Sequence, residues 1–580
     1  MTTAVTRRRL RFCLIVVLAV FLLFGARLFQ IQGVDAKAYA AMAVQTGTAT
    51  TTVPAPRGEI LDRNGVELAS NVDGLTITAD PSMTAEHAPQ IARILYEKLP
   101  DRIDYFETIE TLRTPDSRFV YLVRDLPASE ATDAVEAVRD ASYTGVFTEK
   151  EVLRSYPGGS LAANLLGFTD AEGKGVQGIE QMYDETLTGK DGSSTFEVSS
   201  TGQRIPMADS TVEEMVPGTS VKTTIDRDLQ WYADQRLAEV VSSAGADWGL
   251  AITMDVKTCQ ILQISQSPTF DPDARTGITE RNTVSRATQT VYEPGSVMKP
   301  VTMAALADQG LIDADSKIRV PSQMVIDGFP IGDHWDHGEL QMTAAGVIAQ
   351  SSNLGTIIAA QQMDDETFHD YLSKFGFGRA TGVELPGESA GILEKADSWT
   401  DAKHATTSFG QGISVTAMQM MRALGAIAND GVACDPTVVE STIAPDGTET
   451  PNEAGKSERV VSSEAAAQVT RMMEAVTADD GTAPAAQIEG YRVAGKTGTA
   501  WRVNPETGRY VRGQNTVSFA GFAPADKPRF LTYVVIDKPP ASAGGGSLAG
   551  PVFHDIMSMT LERFGVTPTG SAPPKVEQYW

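Results

Sequence analysis

A serine oxygen is a useful nucleophile only when a neighbour removes its proton, and Ser296 has a candidate neighbour in Lys299. In Tyr292-Glu293-Pro294-Gly295-Ser296-Val297-Met298-Lys299-Pro300, Pro294 and Gly295 break what precedes them. Val301, Met303, Ala304, Leu306 and Ala307 then follow at helical spacing. Ser296 should therefore open a helix, where free N–H groups and the positive dipole end favour developing negative charge. Lys299 shares its face, about one turn away. Burial and nearby positive charge would lower the lysine pKa enough for it to act as base. S-x-x-K alone is common by accident, so the chemistry depends on partners elsewhere in the chain.

Two stretches supply candidates. In Gln350-Ser351-Ser352-Asn353-Leu354-Gly355, bounded by apolar Val347-Ile348 and Ile357-Ile358, a hydroxyl and an amide two residues apart can point into one cleft. Ser351 would shuttle a proton to a leaving amine, and Asn353 would hold Lys299 and a substrate amide. Arg492-Val493-Ala494-Gly495-Lys496-Thr497-Gly498-Thr499-Ala500 has the alternation and glycines of a sheet-edge strand along which a ligand backbone can lie. Lys496 would supply positive field, and the Thr497 and Thr499 hydroxyls, with Gly498 between them, would bind a terminal carboxylate. The N–H groups of Thr499 and Ser296 together would form an oxyanion hole.

The stretch Gly490 to Thr497 also satisfies G-x-x-x-x-G-K-[ST], the phosphate-loop pattern. That reading needs an apolar strand before the loop and a helix starting at the lysine. Ala485 to Glu489 is a weak strand, and Gly498-Thr499-Ala500-Trp501 is poor helix and good strand. Strand, and no nucleotide, is the expectation. Asp333-His334-Trp335-Asp336-His337 has the wrong histidine spacing for the common helical metal motif, and no metal is expected there. Gly544-Gly545-Gly546 reads as a flexible connection near the cleft.

The elements around these stretches point to an α/β domain with an antiparallel sheet flanked by helices and a mostly helical middle. Gly249 to Asp255 and Cys259 to Ser265 read as a hairpin in a core sheet, with further strands at Phe519 to Ala523 and Phe530 to Ile536. Pro551 opens a last helix that Gly565 closes. Pro217-Gly218 marks a boundary. Before it, residues 36–218 read as an extended, β-rich pedestal with an Asn64-Gly65 hairpin and short helices over 89–99 and 130–139. After it comes the chemistry-bearing domain, 219–565, and then a loose Pro-rich tail, 566–580. Leu10 to Phe29 is long enough to span a bilayer, and the basic cluster Arg7-Arg8-Arg9 with Arg11 predicts a cytoplasmic N-terminal tail (1–9) and an extracytoplasmic remainder. Ala36-Lys37-Ala38 resembles a cleavage site but lies far beyond the apolar run, so an uncleaved anchor is expected.

At 580 residues the chain holds more than one domain, and its net charge of −26 argues against a nucleic-acid partner. Six histidines leave little room for a metal enzyme. Of the cysteines, Cys13 sits in the apolar run, and Cys259 and Cys434 are expected to stay unpaired.

S-x-x-K, then S-x-N, then K-T-G is one of the known serine acyl-enzyme sets, here with Ser-Ser-Asn as the middle motif. With it, the chain resembles the class B, monofunctional penicillin-binding proteins of the cell-division type. The resemblance extends over nearly the whole chain. It includes Arg57-Gly58 with Asp62-Arg63-Asn64-Gly65, Gly178-Ile179-Glu180, Phe375-Gly376-Phe377-Gly378, Gly410-Gln411-Gly412 and Ser518-Phe519-Ala520-Gly521. It implies a penicillin-binding transpeptidase domain behind a dimerisation-like pedestal and a peptidoglycan D,D-transpeptidase without cofactor, acting in septal wall synthesis. Ser296 would attack the penultimate D-alanine carbonyl of a stem peptide, an amine of a neighbouring stem would resolve the acyl-enzyme, and β-lactams would trap Ser296. The implied partners are stem peptides, a membrane-embedded peptidoglycan glycosyltransferase and other division proteins. An elongation role, a D,D-carboxypeptidase or β-lactamase using the same serine, and a non-catalytic β-lactam-binding scaffold remain open alternatives.

Overall fold

The computed structural model describes residues 2–35, 48–197, 210–274, 277–453, 455–503 and 510–580. Thr2–Phe29 is one α-helix. The stretch Arg7–Gln32, of mean hydropathy 2.7, is long and apolar enough to cross a membrane. The Ala36-Lys37-Ala38 site lies outside the described residues.

The chain folds into two compact units that do not follow chain order. The first comprises Met1–Pro56, Asp73–Val152 and Gly189–Pro217. In it, Thr48–Val53 pairs antiparallel with Gly192–Glu197. Helices Ala88–Lys98 and Ala128–Asp140 bury Ile91, Leu95, Ala131 and Ala134 in a small core with Ile77 and Leu126. Both helices match their sequence expectations to within a residue or two.

The second unit comprises Arg57–Val72, Leu153–Thr188 and Gly218–Trp580. The pedestal expected as one block over 36–218 is therefore divided. Two of its segments, 57–72 and 153–188, belong to the larger unit and are tied to each other by a buried ion cluster. Glu180 is fully buried and accepts from Arg57 and from Arg154, each at 2.7 Å. Removing a partner from such a buried carboxylate leaves uncompensated charge, at a cost of about 3–5 kcal/mol. Ile60 also pairs in parallel with Val221. The Asn64-Gly65 hairpin forms as expected, with Gly65 at φ +82°.

The centre of this unit is a five-stranded antiparallel sheet. Its strands are β1 (Trp248–Asp255), β2 (Ile261–Ser267), β3 (Ala494–Val503), β4 (Tyr510–Ala523) and β5 (Phe530–Asp537), in the order β2-β1-β5-β4-β3. β1 and β5 are buried at every position, which is why both read as continuous apolar runs rather than alternating ones. β3 is the edge, and Thr497 and Thr499 pair only with Phe519 and Val517 on β4. Helix α1 (Arg227–Ala244) begins at Asp226, whose carboxylate accepts from Leu229 N at 3.1 Å, and ends at Gly245, φ +58°. The remaining helices used below are α2 (Lys299–Asp308), α3 (Ala344–Ala349), α4 (Asn353–Ala360), α5 (Ala417–Ala428), α6 (Ser463–Thr477) and α7 (Gly550–Arg563).

Two expectations are corrected. Cys259 and Cys434 form a disulfide, with Cα atoms 6.1 Å apart. A backbone bridge between Gln260 and Thr437, with Thr437 N donating to Cys259 O at 3.1 Å, brings the two segments together across 175 residues. Nothing local in the sequence signals that pairing. The tail expected to be loose is held. Thr343 N donates to Gln578 O at 3.0 Å, Thr343 Oγ1 to Glu577 O at 2.6 Å, and Trp580 Nε1 to Met342 O at 3.1 Å. The Lys317 ammonium lies 4.6 Å from the centroid of the Trp580 ring. A Cβ on Gly346, in α3, would come within 2.0 Å of Gln578 O, so the tail approaches a helix face that only glycine leaves open.

Candidate active site

Ser296 lies in a tight 3-10 turn, Gly295–Met298, that runs directly into α2. The α-helix thus starts at Lys299 rather than at Ser296, with Pro300 in its first turn, where its missing N–H costs nothing. Gly295 is at φ +59°, and a Cβ there would meet Thr499 O at 3.2 Å and Ala500 Cβ at 3.1 Å. That close approach seats the serine turn against edge strand β3. Val301, Met303, Ala304 and Leu306 of α2 are fully buried. Full burial of each large apolar side chain contributes about 1.5–3 kcal/mol and holds the lysine's helix in place.

Lys299 is fully buried. Its Nζ donates to Ser351 O at 2.6 Å, to Asn353 Oδ1 at 2.9 Å and, more weakly, to Ser351 Oγ at 3.3 Å. Lys496, also fully buried, donates to Ser351 Oγ at 2.9 Å, to Thr497 O at 3.0 Å and to Thr497 Oγ1 at 3.2 Å. Two lysines from opposite sides of the cleft thus meet at one hydroxyl. Burial pulls Lys299 down to about 7, opposed by the negative charge of Asp333. Burial, reinforced by the charge on Lys299, holds Lys496 well below the ordinary lysine value.

Ser351 occupies the bend between α3 and α4 with φ +61°, a left-handed conformation that a non-glycine residue keeps only where its surroundings hold it. Its N–H reaches Ile348 O at 3.2 Å, and its own carbonyl accepts a hydrogen bond from Lys299 Nζ. Ser352 caps α4, accepting from Gly355 N at 2.9 Å. Asn353 Nδ2 donates to Gly332 O at 3.2 Å, which turns its Oδ1 toward Lys299.

Asp333 is the site residue the motifs did not reveal. Its side chain is fully buried, and its oxygens accept from Ser352 Oγ at 2.7 Å, from Leu354 N at 3.1 Å and from Asn353 N. His337 Nε2 lies 3.0 Å from the same carboxylate. Asp333 therefore staples the N-terminus of α4 and is the carboxylate that bears on Lys299. The sequence offered a signal, an Asp/His-rich stretch, but it read as a rejected metal site.

Ser296, Ser351, Asn353, Thr497 and Thr499 all line one cleft of about 400 Å³, with Lys299 and Lys496 behind them. His334, Phe409, Gln411, Thr482 and Gly544 to Ser547 complete its walls. The glycine stretch expected to be a flexible connection is packed instead. A Cβ on Gly545 would come within 2.3 Å of Ser518 O, and one on Gly546 within 2.1 Å of Thr482 O. Gly410 faces the serine turn equally closely, with Gly295 N donating to its carbonyl at 2.9 Å. Around Lys496 the chain is strand, with Gly498 and Thr499 continuing β3, so no phosphate loop forms.

This arrangement is that of a serine acyl-transfer enzyme. The family model "Penicillin binding protein transpeptidase domain" matches residues 249–558, and "Penicillin-binding Protein dimerisation domain" matches residues 52–223. The chain is 36% identical to "Penicillin-binding protein PbpB" of Mycolicibacterium smegmatis, over 95% of this chain and 89% of that protein. It is 31% identical to "Peptidoglycan D,D-transpeptidase FtsI" of Escherichia coli, over 89% of this chain and 85% of that one. The crystal structure of penicillin-binding protein 3 from Mycobacterium tuberculosis complexed with aztreonam superposes with a TM-score of 0.71 at 32% identity, covering 91% of this chain and all of that one. The chain belongs to the penicillin-binding protein transpeptidase family.

Proposed function

We propose that this protein is a peptidoglycan D,D-transpeptidase that works through a Ser296 acyl-enzyme and is acylated there by β-lactams. The observation that carries this reading is the meeting of two buried lysines at Ser351 Oγ, in the same cleft as Ser296. A lysine held near 7 is neutral often enough at physiological pH to take the Ser296 proton. A hydroxyl carries one hydrogen, so Ser351 can accept from one lysine while donating to the other when that one is neutral. This makes Ser351 a relay toward the leaving amine. Lys299 is the base, Asn353 orients it, and Lys496 supplies positive field. Thr497, Gly498 and Thr499 on the exposed edge of β3 bind the substrate backbone and its terminal carboxylate. The N–H groups of Ser296 and Thr499 form the oxyanion hole. β-Lactam recognition is supported by the aztreonam complex of the M. tuberculosis relative.

The test is labelling of the full chain with a fluorescent penicillin, with the adduct mapped to Ser296. Stable labelling that disappears in Ser296→Ala supports the acyl-enzyme. Rapid turnover of the drug would favour a hydrolase, and absence of labelling a scaffold.

The septal role rests on similarity to proteins named FtsI and PbpB, and the fluorescently tagged protein should collect at division sites rather than along side walls. Arg7-Arg8-Arg9 before the apolar helix support a cytoplasmic N-terminus and an extracytoplasmic catalytic unit. A membrane-embedded glycosyltransferase that makes the glycan strands, together with other division proteins, is the partner set this topology suits. Crosslinking in the membrane followed by identification of the captured proteins tests that assignment.

A further inference from the structure

Transpeptidation has a second half that the three motifs do not explain. The acceptor amine arrives as an ammonium at neutral pH and must lose a proton before its lone pair can attack the acyl-enzyme. The two buried lysines are poor candidates for that role. Both are fully buried behind the cleft wall, whereas the acceptor arrives from solvent. Among the described residues lining the cleft, His334 alone carries a titratable side chain; the others are glycine, serine, threonine, asparagine, glutamine and phenylalanine.

His334 is also held in position. It directly follows Asp333, whose carboxylate is locked to Ser352, Asn353 and Leu354. Its ring packs edge-on against Trp335, 4.5 Å between centroids, and Trp335 in turn packs on His337 at 5.0 Å. The residue is partly open to solvent, so a proton it collects can leave.

We propose that His334 is the general base for the acceptor amine in the acyl-transfer step. The inference rests on the transpeptidase reading above. The acceptor ammonium gives one proton to the neutral imidazole, and its lone pair forms the C–N bond at the acyl carbonyl. The C–Oγ bond to Ser296 then breaks, and the second amine proton ends on Ser296 Oγ. The products are the cross-link amide, the free serine and a protonated His334, which returns its proton to water. The charged groups whose fields reach the ring are Lys299, Lys496 and Asp333. Partial desolvation, then the two lysines, lower the His334 pKa against the smaller opposing effect of Asp333. The lowered pKa favours the neutral imidazole, the form able to accept a proton.

The experiment separates the two half-reactions in the full-length, detergent-solubilised protein. Acylation is followed with a fluorescent penicillin, and transfer with a D-alanyl thioester donor and a D-amino acid acceptor. In His334→Gln and His334→Asn, any loss in acylation should be far smaller than the loss in transfer. Transfer should fall about a hundredfold, in the range a lost general base gives. The acidic limb of the transfer pH profile, set by His334 in the parent, should vanish, and added imidazole should restore part of the rate. Equal losses in both half-reactions, or transfer unchanged with its acidic limb intact, would overturn the proposal. Failure of the parent itself to be acylated at Ser296 would instead sink the transpeptidase reading.

Discussion

Lys496 Nζ donates to Ser351 Oγ across 2.9 Å, although the two residues stand 145 positions apart in the chain. The contact closes the cleft from the strand side, while Lys299 closes it from the helix side through Ser351 O at 2.6 Å. Ser351 is therefore the point at which the helical part of the unit and the edge strand are joined. Its left-handed backbone is held by both at once.

Acylation should depend on pH through Lys299. A base must be unprotonated, so the acylation rate of the parent should rise as pH passes through about 7 and level off above it. Lys299→Ala should lower the acylation rate about 10²–10⁴-fold and abolish that limb, as measured by penicillin labelling from pH 5.5 to 9. Folding stability has a linked sign. The folded-state pKa lies below the ordinary 10.5, so the unfolded chain binds more protons between about 7 and 10.5. This group therefore adds stability as pH rises through that window. Its contribution is absent below it.

Lys496→Ala should leave Ser351 Oγ without its closest charged donor and remove positive field from the cleft. Acylation should fall about 10²–10³-fold, the loss typical of a removed electrostatic stabiliser. A pH–rate profile of residual labelling, compared with the parent's, checks the loss.

Asp333→Asn should be costly twice over. Asparagine has one acceptor oxygen where the carboxylate serves Ser352 Oγ, Asn353 N, Leu354 N and His337 Nε2. Each buried donor left unpaired costs about 1–3 kcal/mol, so the melting temperature should drop by several degrees. Loss of the negative charge also removes what opposes desolvation of Lys299. The rising limb of acylation should move to lower pH, a shift that a purely structural defect would not produce.

Gly346→Ala should eject the tail. The added methyl would lie 2.0 Å from Gln578 O, against backbone that cannot easily yield. A loss of about 1–3 kcal/mol is expected, the scale of overpacking. Cleavage by a protease between Pro573 and Trp580 should become faster than in the parent.

Cys259→Ser, or reduction in the parent, should lower the melting temperature without abolishing acylation. The disulfide ties segments 175 residues apart, neither of which contributes a side chain to the cleft. A loss of about 2–4 kcal/mol is expected from the closed loop.

By itself the sequence determined a good deal about this protein. The apolar periodicity after Ser296, the continuous apolar runs of β1 and β5, the edge-strand pattern around Lys496 and the apolar N-terminal helix are local signals, and all were legible. So were the residues that the structure gathers at one cleft, because S-x-x-K, S-x-N and K-T-G each need particular residue types at short spacing. What the sequence left undecided was long-range. Asp333 caps α4 from 20 positions away, and the same Asp/His stretch read locally as loop. Cys259 and Cys434 meet through a backbone bridge, the tail docks on a glycine face, Glu180 and its two arginines tie 57–72 to 153–188, and Ile60 joins them to the larger unit by pairing with Val221. Each of these depends on distances and burial set by chain segments far apart in order. Only the tertiary structure brings them together, because desolvation and hydrogen-bond geometry act through space, not along the chain.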